Sequence, residues 1–177
     1  MKKTLLVLIV LIFLAAVSWG EGEGWKPIGA VSFELGGAIV APIGVGLEFW
    51  LGHVGLSAEF RFLFMGVSGV LAGFIEPGAA VRFYFAPIES SLFLMGGVSY
   101  VTGFAVGEGG AGTTAVGWLK PKVGIGYNAL FGKNNRIRFA AELGAVYIWP
   151  MVRGDLLSTS DLFPVLPHAL IMFGYAF

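Results

Sequence analysis

The residue types that chemistry requires are sparse in this chain. His53, Ser57 and Glu59 lie close together and supply an imidazole, a hydroxyl and a carboxylate, the groups of a hydrolytic triad. On an extended segment Ser57 and Glu59 share one face, but His53 falls in a Gly52-His53 turn at its opening. No Gly-x-Ser-x-Gly elbow accompanies them, so catalysis by the three is not expected. The other histidine, His168, stands alone. With two distant histidines and no cysteine, neither a zinc set nor a disulfide or iron–sulfur framework is available. The stretch Gly107-Glu-Gly-Gly-Ala-Gly112 has the glycine spacing of a phosphate cradle but lacks the Lys-Ser/Thr ending, and reads as a surface loop. No cofactor and no metal is therefore expected.

A third set is larger. Glu34, Glu48, Glu59, Arg61, Glu76, Arg82, Lys120, Lys122, Arg136, Arg138 and Glu142 all lie inside segments that otherwise read as strands. In each segment bulky apolar residues recur at every second position, and the charged residue takes the opposite parity. Val45, Leu47, Phe49 and Leu51 alternate with Gly46, Glu48 and Trp50. Val54, Leu56, Ala58, Phe60, Phe62 and Phe64 alternate with Gly55, Ser57, Glu59 and Arg61. Period two is the strand signature, because successive side chains point to opposite faces.

Eight such segments are expected: Val31, Phe33, Leu35 and Ile39 mark the first, and the two above follow. Ile75 to Phe85, Leu92 to Tyr100, Leu119 to Asn128, Arg136 to Tyr147 and His168 to Phe177 supply the rest. Turns are expected at Ala41-Pro42-Ile43-Gly44, Gly52-His53, 86–90 and Gly132-Lys133-Asn134-Asn135, with longer connections at 65–73, 102–114 and 149–163. A single long hairpin turning at Val67-Ser68-Gly69 is the alternative for 62–75. Pro77 and Pro121 fall inside strands, where a missing donor predicts bulges or strand starts.

Composition decides which face meets which solvent. Hydrophobic residues make up 56% of the chain and mean hydropathy is +0.83, far above ordinary soluble usage. Yet 28 glycines and 8 prolines interrupt the apolar runs, so a helical membrane bundle is not expected. A closed barrel is the other way to satisfy every backbone group in lipid. In that setting the apolar face points outward and the charged face into the lumen, since an Arg or Lys facing mid-bilayer costs about 2–4 kcal/mol. The lumen of eight strands is narrow enough for side chains to fill. Five acids and six bases there predict a salt-bridged plug, with Gly46, Gly78, Gly97, Gly124 and Gly144 leaving room for long neighbours. Inward Trp50, Tyr84 and Phe93 near one rim, and Leu63, Met65 and Phe74 near the other, predict either lumen packing or an apolar vestibule.

The N-terminus begins Met1-Lys2-Lys3, continues as an apolar run over 5–17 and leaves through small residues. This describes a secretory signal peptide over 1–20, with the barrel domain over 21–177. Eleven basic and eleven acidic residues in the whole chain offer no basic field for nucleic acid.

The chain ends Phe173-Gly-Tyr175-Ala-Phe177, aromatic at every second position. Together with the signal segment, the strand alternation and the inward charges, this ending resembles small eight-stranded bacterial outer-membrane barrels of the OmpX and OmpA membrane-domain type. The resemblance implies an eight-stranded antiparallel up-and-down transmembrane β-barrel in the cell outer membrane. It also implies outer-membrane lipid as surroundings and Phe173, Tyr175 and Phe177 as the signal read by the barrel-assembly machinery. A structural or interaction role without catalysis is the leading expectation. A narrow channel or binding barrel for small hydrophobic molecules comes next, and a lipid-modifying enzyme last. Neither histidine has the Ser two positions later that the outer-membrane deacylases carry.

Overall fold

Alternating side chains and frequent tight turns give a closed antiparallel meander. The computed structural model describes residues 26–37, 42–67, 70–106, 114–152 and 165–177. Its strands are β1 (Gly29–Gly37), β2 (Ile43–Leu51), β3 (Val54–Val67), β4 (Val70–Tyr84), β5 (Ser90–Val106) and β6 (Thr114–Phe131). They are followed by β7 (Ile137–Tyr147), β8 (Trp149–Val152) and β9 (Val165–Ala176). From β1 to β7 each pairs with the next in sequence, β7 also pairs with β9, and β9 returns to pair with β1. Short β8 continues β7 along the same partner, β6, so nine segments make eight staves. This is the expected fold class.

The burial pattern is that of a soluble barrel turned inside out. Phe33, Val45, Phe49, Leu56, Phe60, Val81, Phe83, Leu94, Ile125, Leu143 and Phe173 face outward and are exposed, while Ser32, Glu34, Glu48, Glu59, Arg61, Arg82, Lys122 and Glu142 are buried inside. In water such a surface would aggregate. In a bilayer it is the low-energy arrangement, since closure leaves no unpaired strand edge and the apolar wall meets acyl chains.

The start of the described barrel and its last residue reach the same rim. The N–H groups of Ile28 and Gly29 donate to the Phe177 carbonyl at 2.7 and 3.1 Å, and Phe177 N–H donates to Gly29 O at 2.9 Å. The connections Gly52-His53, 85–89 and 132–136 lie at this rim, here termed the turn end; the opposite rim is the loop end. At the turn end Gly52 takes φ +62, and Asn134 and Asn135 take φ 61 and 54, values that Gly and Asn tolerate best.

Five expectations need correction. Of the turn expected at Ala41-Pro42-Ile43-Gly44, Ile43 and Gly44 already belong to β2, and the loop expected from Trp149 opens as strand β8. The connection expected over 65–73 is strand: β3 runs to Val67 and β4 resumes at Val70, as in the long-hairpin alternative. Part of the loop expected over 102–114 is strand as well, because β5 continues to Val106 and β6 begins at Thr114. Both stretches are rich in glycine and small residues, which blurs the alternation, but cross-strand pairing supplies what propensity does not. The alternation of short and long connections therefore fails after β3, where two residues suffice. The prolines make gaps and not bulges. Around Pro77 the β4–β5 ladder lacks pairs between Ile75↔Thr102 and Gly78↔Ser99, yet the register on either side is the same. Pro121 retains its pairing with Val98, while the ladder toward β7 is interrupted, and that gap separates β7 from β8. A proline lacks one donor and so disturbs only the neighbour to which its N–H would point. The register irregularity of this region lies instead at Gly117/Trp118. Ala38, Ile39, the Met65 side chain and the segments 1–20, 107–112 and 153–163 lie outside the described residues.

Candidate functional site

The lumen brings ten of the eleven strand charges into one connected network. Its centre is Glu59. One carboxylate oxygen accepts from Arg61 Nη2 at 2.5 Å and from Lys122 Nζ, and the other from Arg82 Nη2 at 3.1 Å. Glu59 reaches the axis because both cross-strand neighbours, Gly46 on β2 and Gly78 on β4, lack side chains.

From this centre the network runs both ways. Toward the loop end, Arg61 donates to Glu34 at 2.8 Å and to Glu76 at 3.4 Å, and Lys120 Nζ meets Glu76 at 2.9 Å. Ser99 Oγ donates to the same Glu76 at 2.6 Å. Toward the turn end, Arg82 bridges Glu48 and Glu142, each at 3.1 Å. Arg138 closes on Glu48 at 2.6 Å, and His168 Nε2 lies 2.9 Å from Glu142. Arg61, Arg82 and Arg138 are only 1% exposed. Arginine suits these positions, because its planar fork serves several carboxylates at once. Burying so many charges is tolerable only because every acid has at least one cation against it, and removing one partner would strand the others.

Arg136 is placed elsewhere. It precedes β7 at the turn-end rim, where Nη1 donates to the Tyr175 hydroxyl at 2.7 Å and its guanidinium stands 6.0 Å from the Tyr175 ring centroid. Tyr175 is thus half-buried under an arginine, whereas Phe173 faces outward against Phe139 with ring centroids 5.0 Å apart. Phe177 meets Phe49 edge-on at 6.0 Å.

The large inward residues divide between the two ends. At the turn end Trp50, Tyr84, Phe93, Leu130 and Met172 pack as one apolar cluster. Their polar handles are bound into the network, a role that apolar periodicity did not reveal but their N–H and O–H groups could have. Trp50 Nε1 donates to Glu48 at 3.0 Å and Tyr84 Oη to the same oxygen at 2.7 Å. Arg138 stands 5.5 Å over the Trp50 ring and Arg82 5.6 Å over Phe93. Asn128 ties this layer to the turn, accepting from Arg138 at 2.8 Å and donating to Ile88 O at 2.6 Å.

Glycine roles follow the packing closely. A Cβ on Gly46 would lie 2.2 Å from Glu34 Oε1, and one on Gly126 2.2 Å from the Phe93 ring. Gly124 and Gly144, expected to accommodate long side chains, instead face each other backbone to backbone.

Among the described residues the loop end is not filled. A cavity of about 110 Å³ lies there, walled by Leu63, Phe74, Val101, Trp118 and Ile148 and floored by Arg61, Glu76 and Lys120.

The hydrolytic set is not assembled. His53 Nδ1 contacts Tyr84 O at 2.9 Å at the rim, while Ser57 Oγ donates to Ala80 O at 3.2 Å and lies 3.4 Å from Glu59. Among the described residues neither histidine is hydrogen-bonded to a serine, so nothing there activates a nucleophile.

No protein-family model and no curated protein matches the chain. Solved structures do resemble it. The N-terminal β-barrel domain of Pseudomonas aeruginosa OprF superposes with a TM-score of 0.50 and 14% identity, covering 86% of this chain and 100% of that one. A major outer membrane protein from Thermus thermophilus gives 0.51 and 11%, covering 84% and 99%. At these identities the likeness is one of fold.

Proposed function

We propose that this chain, which has the fold of the small eight-stranded outer-membrane β-barrels, is a resident barrel of a bacterial outer membrane. Its role is structural or interactive, its lumen is closed to ions, and it is not an enzyme. The turn end, where Ile28 and Phe177 meet, then faces the periplasm and the loop end faces outside. Acyl chains surround the apolar wall, and the terminal strand with Phe173, Tyr175 and Phe177 is what the assembly machinery reads.

The observation that carries this reading is the unbroken run of ion pairs from Lys120 through Glu76, Arg61, Glu59 and Arg82 to Glu48 and Arg138. An ion crossing the lumen would have to break several buried pairs in succession, each bonded on more than one side. The cluster of Trp50, Tyr84 and Phe93 closes the path beyond them. Lipid-modifying chemistry lacks support, because Ser57 is bonded to a backbone carbonyl and Glu142 holds the buried histidine.

Planar-bilayer recording of the refolded barrel tests the proposal. Rare, brief openings at most are expected. A steady ohmic conductance in the wild-type protein overturns the closed lumen, and release of free acyl chains from phospholipid or lipid A overturns the non-enzymatic reading.

A further inference from the structure

We infer that the hollow at the loop end of the lumen binds a small neutral aromatic molecule with one hydrogen-bond donor, of the size and kind of indole or phenol. The site is a built cavity and not a gap between loops, since Leu63, Phe74, Val101 and Trp118 stand on strands β3 to β6, Ile148 lies between β7 and β8, and the floor is the top of the ion-pair network. Its volume of about 110 Å³ corresponds to roughly eight water-sized volumes, or on the order of ten ligand atoms.

The walls favour a flat ring. Trp118 faces Val101 across the β5–β6 ladder, and Phe74 faces Gly103 across the β4–β5 ladder. Because Gly103 has no side chain, the Phe74 and Trp118 rings meet over β5, stacked at 22° with centroids 6.3 Å apart. Val101 is buried beside them. An aromatic platform beside an aliphatic wall is the usual lining of a small-molecule pocket, with a few polar groups fixing orientation.

The floor requires neutrality and a donor. Within the network five carboxylates, Glu34, Glu48, Glu59, Glu76 and Glu142, face five permanent cations, Arg61, Arg82, Arg138, Lys120 and Lys122. A charged ligand would add an unmatched charge above a balanced set. Glu76 accepts from Arg61, Ser99 and Lys120. A carboxylate offers about four acceptor positions, so one remains for the N–H of indole or the O–H of phenol.

The test uses the full barrel in lipid nanodiscs, with indole titrated while backbone amide resonances are followed. Saturable shifts confined to residues around Leu63, Phe74, Val101, Trp118 and Ile148 are expected. N-methylindole, which keeps the ring but lacks the donor, should bind at least about tenfold more weakly, as befits the loss of a hydrogen bond to a charged acceptor. Val101→Phe, which fills the cavity from its wall, should abolish the shifts while the barrel stays folded. Shifts that never saturate, that spread over the lipid-facing wall, that survive in Val101→Phe or that are the same for N-methylindole would overturn the site. Bilayer conductance decides the closed lumen separately, so either reading can fail without the other.

Discussion

The two ends of the lumen are built from the same alternation yet are filled in opposite ways. At the turn end Trp50, Tyr84 and Phe93 are packed against one another and hydrogen-bonded or stacked onto Glu48, Arg82 and Arg138. At the loop end Leu63, Phe74 and Trp118 line empty space. Inward parity therefore determines that a residue faces the lumen but not whether it fills it. That depends on what stands opposite. Gly126 lies under Phe93 at one end and lets the ring reach the axis, whereas Gly103 opposite Phe74 lets two rings lean sideways together. Solidity at one end and vacancy at the other make the halves respond differently to the same kind of change.

The largest effect is expected between them, at Arg82. Its guanidinium serves Glu48, Glu59 and Glu142, so Arg82→Ala leaves three buried carboxylates short of their shared cation. A loss of about 3–5 kcal/mol is expected from stranding buried charge. Urea unfolding of the barrel in lipid vesicles measures it. A loss below about 1 kcal/mol would mean that water already reaches the network and that the turn end does not seal it.

Tyr84→Phe addresses the sealed end alone. It keeps the ring against Phe93 but removes the hydroxyl that donates to Glu48 at 2.7 Å. The expected cost is about 1.5–3 kcal/mol, the range for a hydrogen bond to a charged group. The same unfolding assay reports it, and an unchanged stability would show that Trp50 and Arg138 satisfy Glu48 without it.

Much of this architecture can be read in the chain, and the unreadable parts have physical causes. Glu48, Glu59, Arg61 and Arg82 declare the inward face by parity, because any other placement in a bilayer would set a charge against acyl chains. Strand ends are less legible. The alternation fades over 65–73 and 102–118, where small residues dominate, and pairing with a neighbouring strand extends β3 to β6 there beyond any local signal. The prolines mislead for a related reason: Pro77 and Pro121 lose one ladder partner each, but flanking pairs hold the register. Pairing among the charges is not legible at all. That Arg61 bonds Glu76 directly across a ladder requires the β3–β4 register, and that Arg138 meets Glu48 requires closure of the ring. Arg136 has the parity of Arg138 but lies just outside β7, and the boundary of one residue sends it to Tyr175 at the rim.

The comparison is sharpest where carbon is added at each end. At the turn end a single methyl in Gly126→Ala would place Cβ 2.2 Å from the Phe93 ring and 2.5 Å from the Ala141 carbonyl oxygen. Overpacking of this kind costs about 1–3 kcal/mol, and the backbone carbonyl cannot move aside as a flexible side chain would. At the loop end Val101→Phe adds several carbons, yet they enter a cavity of about 110 Å³ already lined by Phe74 and Trp118. New apolar contact offsets the ordering of one ring, so stability should stay within about 1 kcal/mol of wild type. Urea midpoints of the two variants, measured side by side in the same vesicles, read the difference directly. A smaller substitution that destabilises more than a larger one cannot follow from residue volume or lumen parity, and it identifies the turn end as the solid half of the lumen. Equal losses would mean that the hollow is filled by its own side chains in the membrane.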